Sequence, residues 1–65
     1  MSADGYRVVR VLRRGGWLTV ADVAAQVRLC KRKTRALLHG AVVSDRAIYR
    51  DEEGEPRRFA SAPNG

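Results

Sequence analysis

The 65-residue chain has one cysteine and one histidine. A lone Cys30 excludes an internal disulfide, and His39 without further histidines or cysteines excludes a zinc ligand set. Aromatic residues make up only 6% of the chain, so a single-stranded RNA reader, which stacks bases on exposed rings, has little support. No apolar run approaches the length of a membrane span and no signal-peptide pattern is present. The expectation is a soluble, cytoplasmic protein. The residues offer no paired catalytic acids, no nucleophile with a base, no metal cluster and no phosphate loop. The chain is therefore expected to be no enzyme and to need no cofactor.

What the chain does have is positive charge. Lys and Arg number 13 against 7 Asp and Glu, a net charge of +6, and all but Lys31 and Lys33 of the basic residues are arginine. A GC-rich genome favours arginine codons whatever the function, and the abundant Ala, Val and Gly fit that bias. Codon bias does not decide where charges sit. Residues 1–50 carry 11 basic and 3 acidic side chains, whereas residues 51–65 carry Arg57 and Arg58 against Asp51, Glu52, Glu53 and Glu55. A basic body with an acidic spot near its end points to nucleic acid or another anionic surface as partner. With 45% hydrophobic residues the composition is globular, and at this length it allows one domain with a small core.

Periodicity divides the chain. Residues 5–14 place Val8, Val9 and Leu12 on one helical face and Arg7, Arg10 and Arg14 on the other. Asp4 is the expected N-cap and Gly15-Gly16 the stop; a strand competes over residues 6–8. Trp17-Leu18 is long enough only for an extended pair. Thr19 followed three residues later by Asp22 forms a capping-box pattern. It precedes Val20, Val23, Ala24 and Val27, spaced as a two-turn helix. Arg28, Leu29 and Cys30 then interrupt. A third helix is expected from Lys31 to about Ser44, with Cys30 as a small capping residue, Thr34, Leu38 and Ala41 inward, and Asp45 in a left-handed turn. Gly40 lies inside it, and the shorter alternative ends there. Residues 47–50 and 57–60 are expected to form a hairpin around a turn at residues 51–56, with Gly54 and Pro56 as breakers. Trp17 and Phe59 are expected in the core, as is one of Ile48 and Tyr49. Residues 61–65 are expected as a disordered tail.

This order, and the stretch WLTVADVAAQVRLCKRKTRALLHGAVVSD in particular, resembles the winged helix-turn-helix family. Excisionases and other small phage or plasmid regulators carry openings similar to WLTVADVA. The resemblance implies an α+β fold over residues 1–60, with three helices plus a C-terminal β-hairpin wing. It implies a sequence-specific regulator of double-stranded DNA, acting as a homodimer and reading the major groove with the helix at 31–44. An excisionase-like architectural protein is the alternative, and a protein-docking module is a further one.

Helical geometry then sorts the basic decamer RLCKRKTRAL. With Thr34, Leu38 and Ala41 inward, Arg32, Ala36 and His39 point outward, flanked by Lys33 and Arg35. Arg32 and Arg35 suit two-point contact with guanine, Ala36 a thymine methyl, and His39 a base or phosphate. Arg28, Lys31 and Lys33 suit phosphates, and Thr19 offers a backbone N–H at a helix start. Arg50, Arg57 and Arg58 would touch the duplex from the wing. The tip acids Asp51, Glu52, Glu53 and Glu55 would repel phosphates; they suit a basic protein surface, including one on a second copy. The arginines of the first helix are expected as a solvated face or rim contact.

Overall fold

The structure, a computed structural model, describes residues 3–63. Helix α1 spans Ala3–Gly15 and buries Val8, Val9 and Leu12. Asp4, expected as its N-cap, lies instead inside the first turn, where a carboxylate favours the positive end of the helix dipole. At the other end Gly15 approaches Leu18 so closely that a Cβ there would lie 2.5 Å from Leu18 Cδ1. Gly16 follows with φ of 72°, a conformation glycine adopts without strain, and the chain reverses.

Strand β1 is Leu18–Thr19 and runs directly into helix α2, Val20–Val27. The capping box is complete. Thr19 Oγ1 accepts from the Asp22 N–H at 3.1 Å, and the Thr19 N–H donates to Asp22 Oδ2 at 3.2 Å. Helix α2 ends at Arg28, whose φ of 60° is left-handed, and Leu29 N–H donates to Ala24 O at 3.2 Å. Helix α3 is Lys31–Val43, with Cys30 as N-cap and Sγ accepting from Lys33 N–H at 3.5 Å. Its stripe Thr34, Leu38 and Ala41 is buried as the periodicity requires, and Asp45 takes the left-handed turn at φ 59°.

Strand β2 is Ala47–Arg50 and strand β3 is Arg58–Ser61. The extended pair before α2 is not isolated: β1 joins the hairpin, giving an antiparallel sheet in the order β1-β3-β2. Leu18 and Tyr49 both stand opposite Phe59, and Thr19 and Arg50 both stand opposite Arg58. The start of α2 is thereby hydrogen-bonded to the wing. The second hairpin strand lies one residue later than the expected 57–60, because Arg57 turns across the loop to Asp51. Ser61 pairs with Ala47, and Ala62 N–H donates to Arg46 O at 3.1 Å, so ordered backbone continues past residue 60. Asn64 and Gly65, the end of the expected tail, lie outside the described residues.

The core is Val8, Val9, Leu12, Val23, Val27, Leu38, Ala41, Ala47 and Phe59, with Leu18, Val20, Leu29 and Leu37 packed around it. Two expectations about the core are corrected. Trp17 is 37% exposed, its ring covered by the Arg50 guanidinium at 4.7 Å. Ile48 and Tyr49 are both exposed, at 39% and 47%, where one was expected inside. β2 is the edge strand of the sheet, and of its four residues only Ala47 is buried.

Candidate nucleic-acid interface

Helix α3 and the wing enclose two adjoining hollows. One, of about 580 Å³, is lined by Arg32, Arg35, Ala36, His39 and Val42 from the helix and by Tyr49, Arg57 and Phe59 from the wing. The other, of about 470 Å³, is lined by Lys31 and Arg35, the Thr19-Val20-Ala21 start of α2, and Pro56, Arg57 and Phe59. Arg35, Arg57 and Phe59 border both. The result is one concave, basic surface built from the beginning of α2, the outer face of α3 and the inner side of the wing. Phe59, shared by the two hollows, is buried.

Of the residues singled out in the sequence, this surface brings together Thr19, Lys31, Arg32, Arg35, Ala36, His39 and Arg57. Lys31, Arg32 and Arg35 are exposed and form no ion pair among the described residues. Arg28, Lys33, Arg50 and Arg58 lie outside both hollows. Arg28 is exposed at the turn between α2 and α3. Lys33 leans toward α1, with Nζ 3.3 Å from Asp4 Oδ2. Arg50 pairs with Glu52 at 3.4 Å and Arg58 with Glu55 at 4.0 Å.

The wing thus neutralises itself. Asp51 accepts from Arg57 Nε at 2.6 Å and from Nη2 at 2.9 Å. That two-point hydrogen bond, reinforced by the guanidinium charge, holds the Asp51 carboxyl below the usual carboxylate range. Arg57 also lies over the Tyr49 ring, 4.4 Å from its centroid. Tyr49 in turn meets Phe59 at 6.3 Å with the rings tilted by 48°. Three of the four tip acids therefore face stem arginines of their own wing, and Glu53 forms no ion pair among the described residues.

Sequence reasoning missed Tyr49, Pro56 and Phe59 as walls of this surface. Phe59 and Tyr49 could have been found from the pairing of residues 49 and 59 in a hairpin one residue out of the expected register. Nothing local to Pro56 marked it as facing α3. Among the described residues no group of histidines, cysteines and acids could hold a metal ion. No helix among them is long and apolar enough to cross a membrane.

No protein-family model and no curated protein matches the sequence. Solved structures do match. The apo Zalpha domain of zebrafish PKZ superposes with a TM-score of 0.85 at 23% identity, over 94% of this chain and 98% of that one. The PKZ Zalpha domain in complex with ds(CG)6 gives 0.81 at 23% identity, over 86% and 89%. The transcriptional regulator PA4135 gives 0.86 at 15% identity, and this chain, matched in full, spans 49% of that one. At these identities the likeness is one of fold. Three helices and a small antiparallel sheet in this arrangement make the chain a winged helix-turn-helix of the α+β class.

Proposed function

We propose that the chain binds double-stranded DNA as a sequence-specific regulator, with α3 in the major groove and the wing alongside it. The observation that carries this reading is the unpaired set Lys31, Arg32 and Arg35 on a concave surface shared with Arg57. Four cations in the first five residues of α3 oppose the positive end of the helix dipole, each by about 0.3–1 kcal/mol. Only Lys33 is offset by a nearby acid. Such a placement is unfavourable for the isolated helix and favourable once phosphates arrive.

Roles follow from position. Arg32 and Arg35, on the outer face, suit guanine edges; Ala36 suits a thymine methyl; His39 suits a base or phosphate. Lys31 suits the backbone at the mouth of the groove, and Arg28 suits phosphate at the turn; the Thr19 N–H, expected to serve a phosphate, is instead taken by Asp22 Oδ2 in the capping box. A module this small covers few base pairs, so a homodimer on paired half-sites supplies affinity and specificity. The reading of the acidic tip as a protein-docking site loses its support, since Asp51, Glu52 and Glu55 face arginines of the same wing. The ds(CG)6 complex of a similar domain supports duplex DNA as a ligand that this fold can hold.

The test is fluorescence anisotropy with a random-sequence duplex and with a (CG)6 duplex over a range of salt. Binding is expected to fall linearly in log–log form, with a slope near −0.9 for each phosphate engaged. Absence of binding to either duplex at about 50 mM salt, where non-specific affinity is high, overturns the proposal. Induced bending of a bound duplex assigns the excisionase-like alternative.

A further inference from the structure

Helix α1 carries four arginines after its first turn, and the structure treats them unequally. Arg7 is engaged: its Nη2 donates to Val27 O at 2.6 Å and its Nη1 lies 3.3 Å from Asp4 Oδ1. Arg10, Arg13 and Arg14 are exposed, and their side chains form no hydrogen bond or ion pair among the described residues. Arg10 stands three and four residues before Arg13 and Arg14, the spacing at which like charges destabilise a helix. Arg13 and Arg14 sit in the last turn, where the helix dipole favours cations. Arg10, in mid-helix, has no such compensation.

The acids of the chain do not relieve this crowding. Asp4 is shared by Arg7 and Lys33, Asp22 closes the cap of α2, and Asp51, Glu52 and Glu55 face wing arginines. The hollows bordered by Arg10 hold Tyr6 and Arg13 on one side and Arg14 and Gln26 on the other. Neither shares a residue with the surface formed by α3 and the wing.

We propose that Arg10, Arg13 and Arg14 form a second phosphate-binding surface, on which the protein takes a second duplex while α3 holds the first. The inference rests on the DNA reading above. Three features favour a nucleic-acid backbone as the occupant. Guanidinium forks match phosphate oxygens. The apolar residues Val8, Val9 and Leu12 are in the core, so α1 has none of them to insert into lipid. The wing of a second copy is a poor counter-ion, because its acids already face its own arginines.

The test is duplex bridging by the full chain. One random-sequence duplex is fixed to beads and a second, fluorescent duplex is offered in solution. The protein is expected to retain the second duplex. The combined change Arg10→Gln, Arg13→Gln and Arg14→Gln is expected to cut retention by about tenfold while lowering single-duplex affinity by less than about threefold. Arg10→Gln alone is expected to give a partial loss, and circular dichroism checks that both variants stay helical. Retention unchanged in the triple variant overturns the inference, as does an equal loss of single-duplex binding, which makes α1 part of the first surface. A protein that binds one duplex without bridging overturns this inference and leaves the DNA reading standing. A protein that binds neither overturns both. Wild-type binding to anionic phosphatidylglycerol vesicles, lost in the triple variant without any bridging, reassigns the surface to lipid and also overturns it.

Discussion

Arg57 reaches across the wing turn and donates through Nε and Nη2 to both carboxylate oxygens of Asp51, at 2.6 and 2.9 Å. The pair is solvent-exposed, so its worth lies in orientation more than in stability. It fixes the guanidinium over Tyr49 at the edge of the α3 surface.

The Asp51 carboxyl is expected to titrate below the ordinary aspartate range, because Arg57 hydrogen-bonds its ionised form. A depressed folded-state value contributes stability that is present above the unfolded value. That contribution disappears as pH falls through the folded one. Carbon-detected NMR titration of the side chain checks this. In Arg57→Gln the midpoint is expected to move up toward the usual range, and an unchanged midpoint contradicts the assigned cause.

Neutralising the tip is expected to strengthen non-specific binding. Combining Glu52→Gln, Glu53→Gln and Glu55→Gln removes three negative charges and frees Arg50 and Arg58 from their partners. The salt slope on random duplex should steepen by up to about 0.9 for each arginine that then meets a phosphate. A shallower slope would mean that the stem arginines do not face DNA.

Arg32→Ala and Lys31→Ala are expected to differ in kind. Loss of a two-point base contact costs about 1–3 kcal/mol on the preferred site and little on random duplex. Loss of a phosphate contact at Lys31 weakens both alike and lowers the salt slope by about 1. Competition binding with a selected site and random DNA separates the two outcomes.

Gly40→Ala is expected to stabilise the fold. Gly40 is exposed inside α3, and a Cβ there meets nothing within 4 Å. The gain is up to about 1 kcal/mol, or roughly 4–8 °C in Tm for a domain of this size. Thermal unfolding measures it, and a fall in Tm would reveal a packing role for the glycine.

Thr34→Val is expected to be stabilising for a different reason. Thr34 is fully buried, and its Oγ1 has no hydrogen-bond partner among the described residues. Replacing a hydroxyl without a partner by a methyl of similar shape removes a desolvation cost of about 1–3 kcal/mol. Urea unfolding should show a raised midpoint with an unchanged slope.

The sequence by itself determined the three helices, the capping box at Thr19 and Asp22, the inward stripe of α3 and the left-handed turn at Asp45. These are matters of local spacing, backbone sterics and side-chain-to-backbone bonds within a few residues, which a one-dimensional pattern records. Only the tertiary structure decided that β1 pairs with β3, that Trp17 stays outside while Phe59 goes in, and that both Ile48 and Tyr49 are exposed. Those outcomes depend on which strands pair and which side chains the packed helices cover, which no local pattern encodes. The same holds for charge. A cation count places positive potential on the chain, but which arginines face an acid depends on neighbours brought together by the fold. Lys33 meets Asp4 from another helix, and Arg57 meets Asp51 from the far side of a turn.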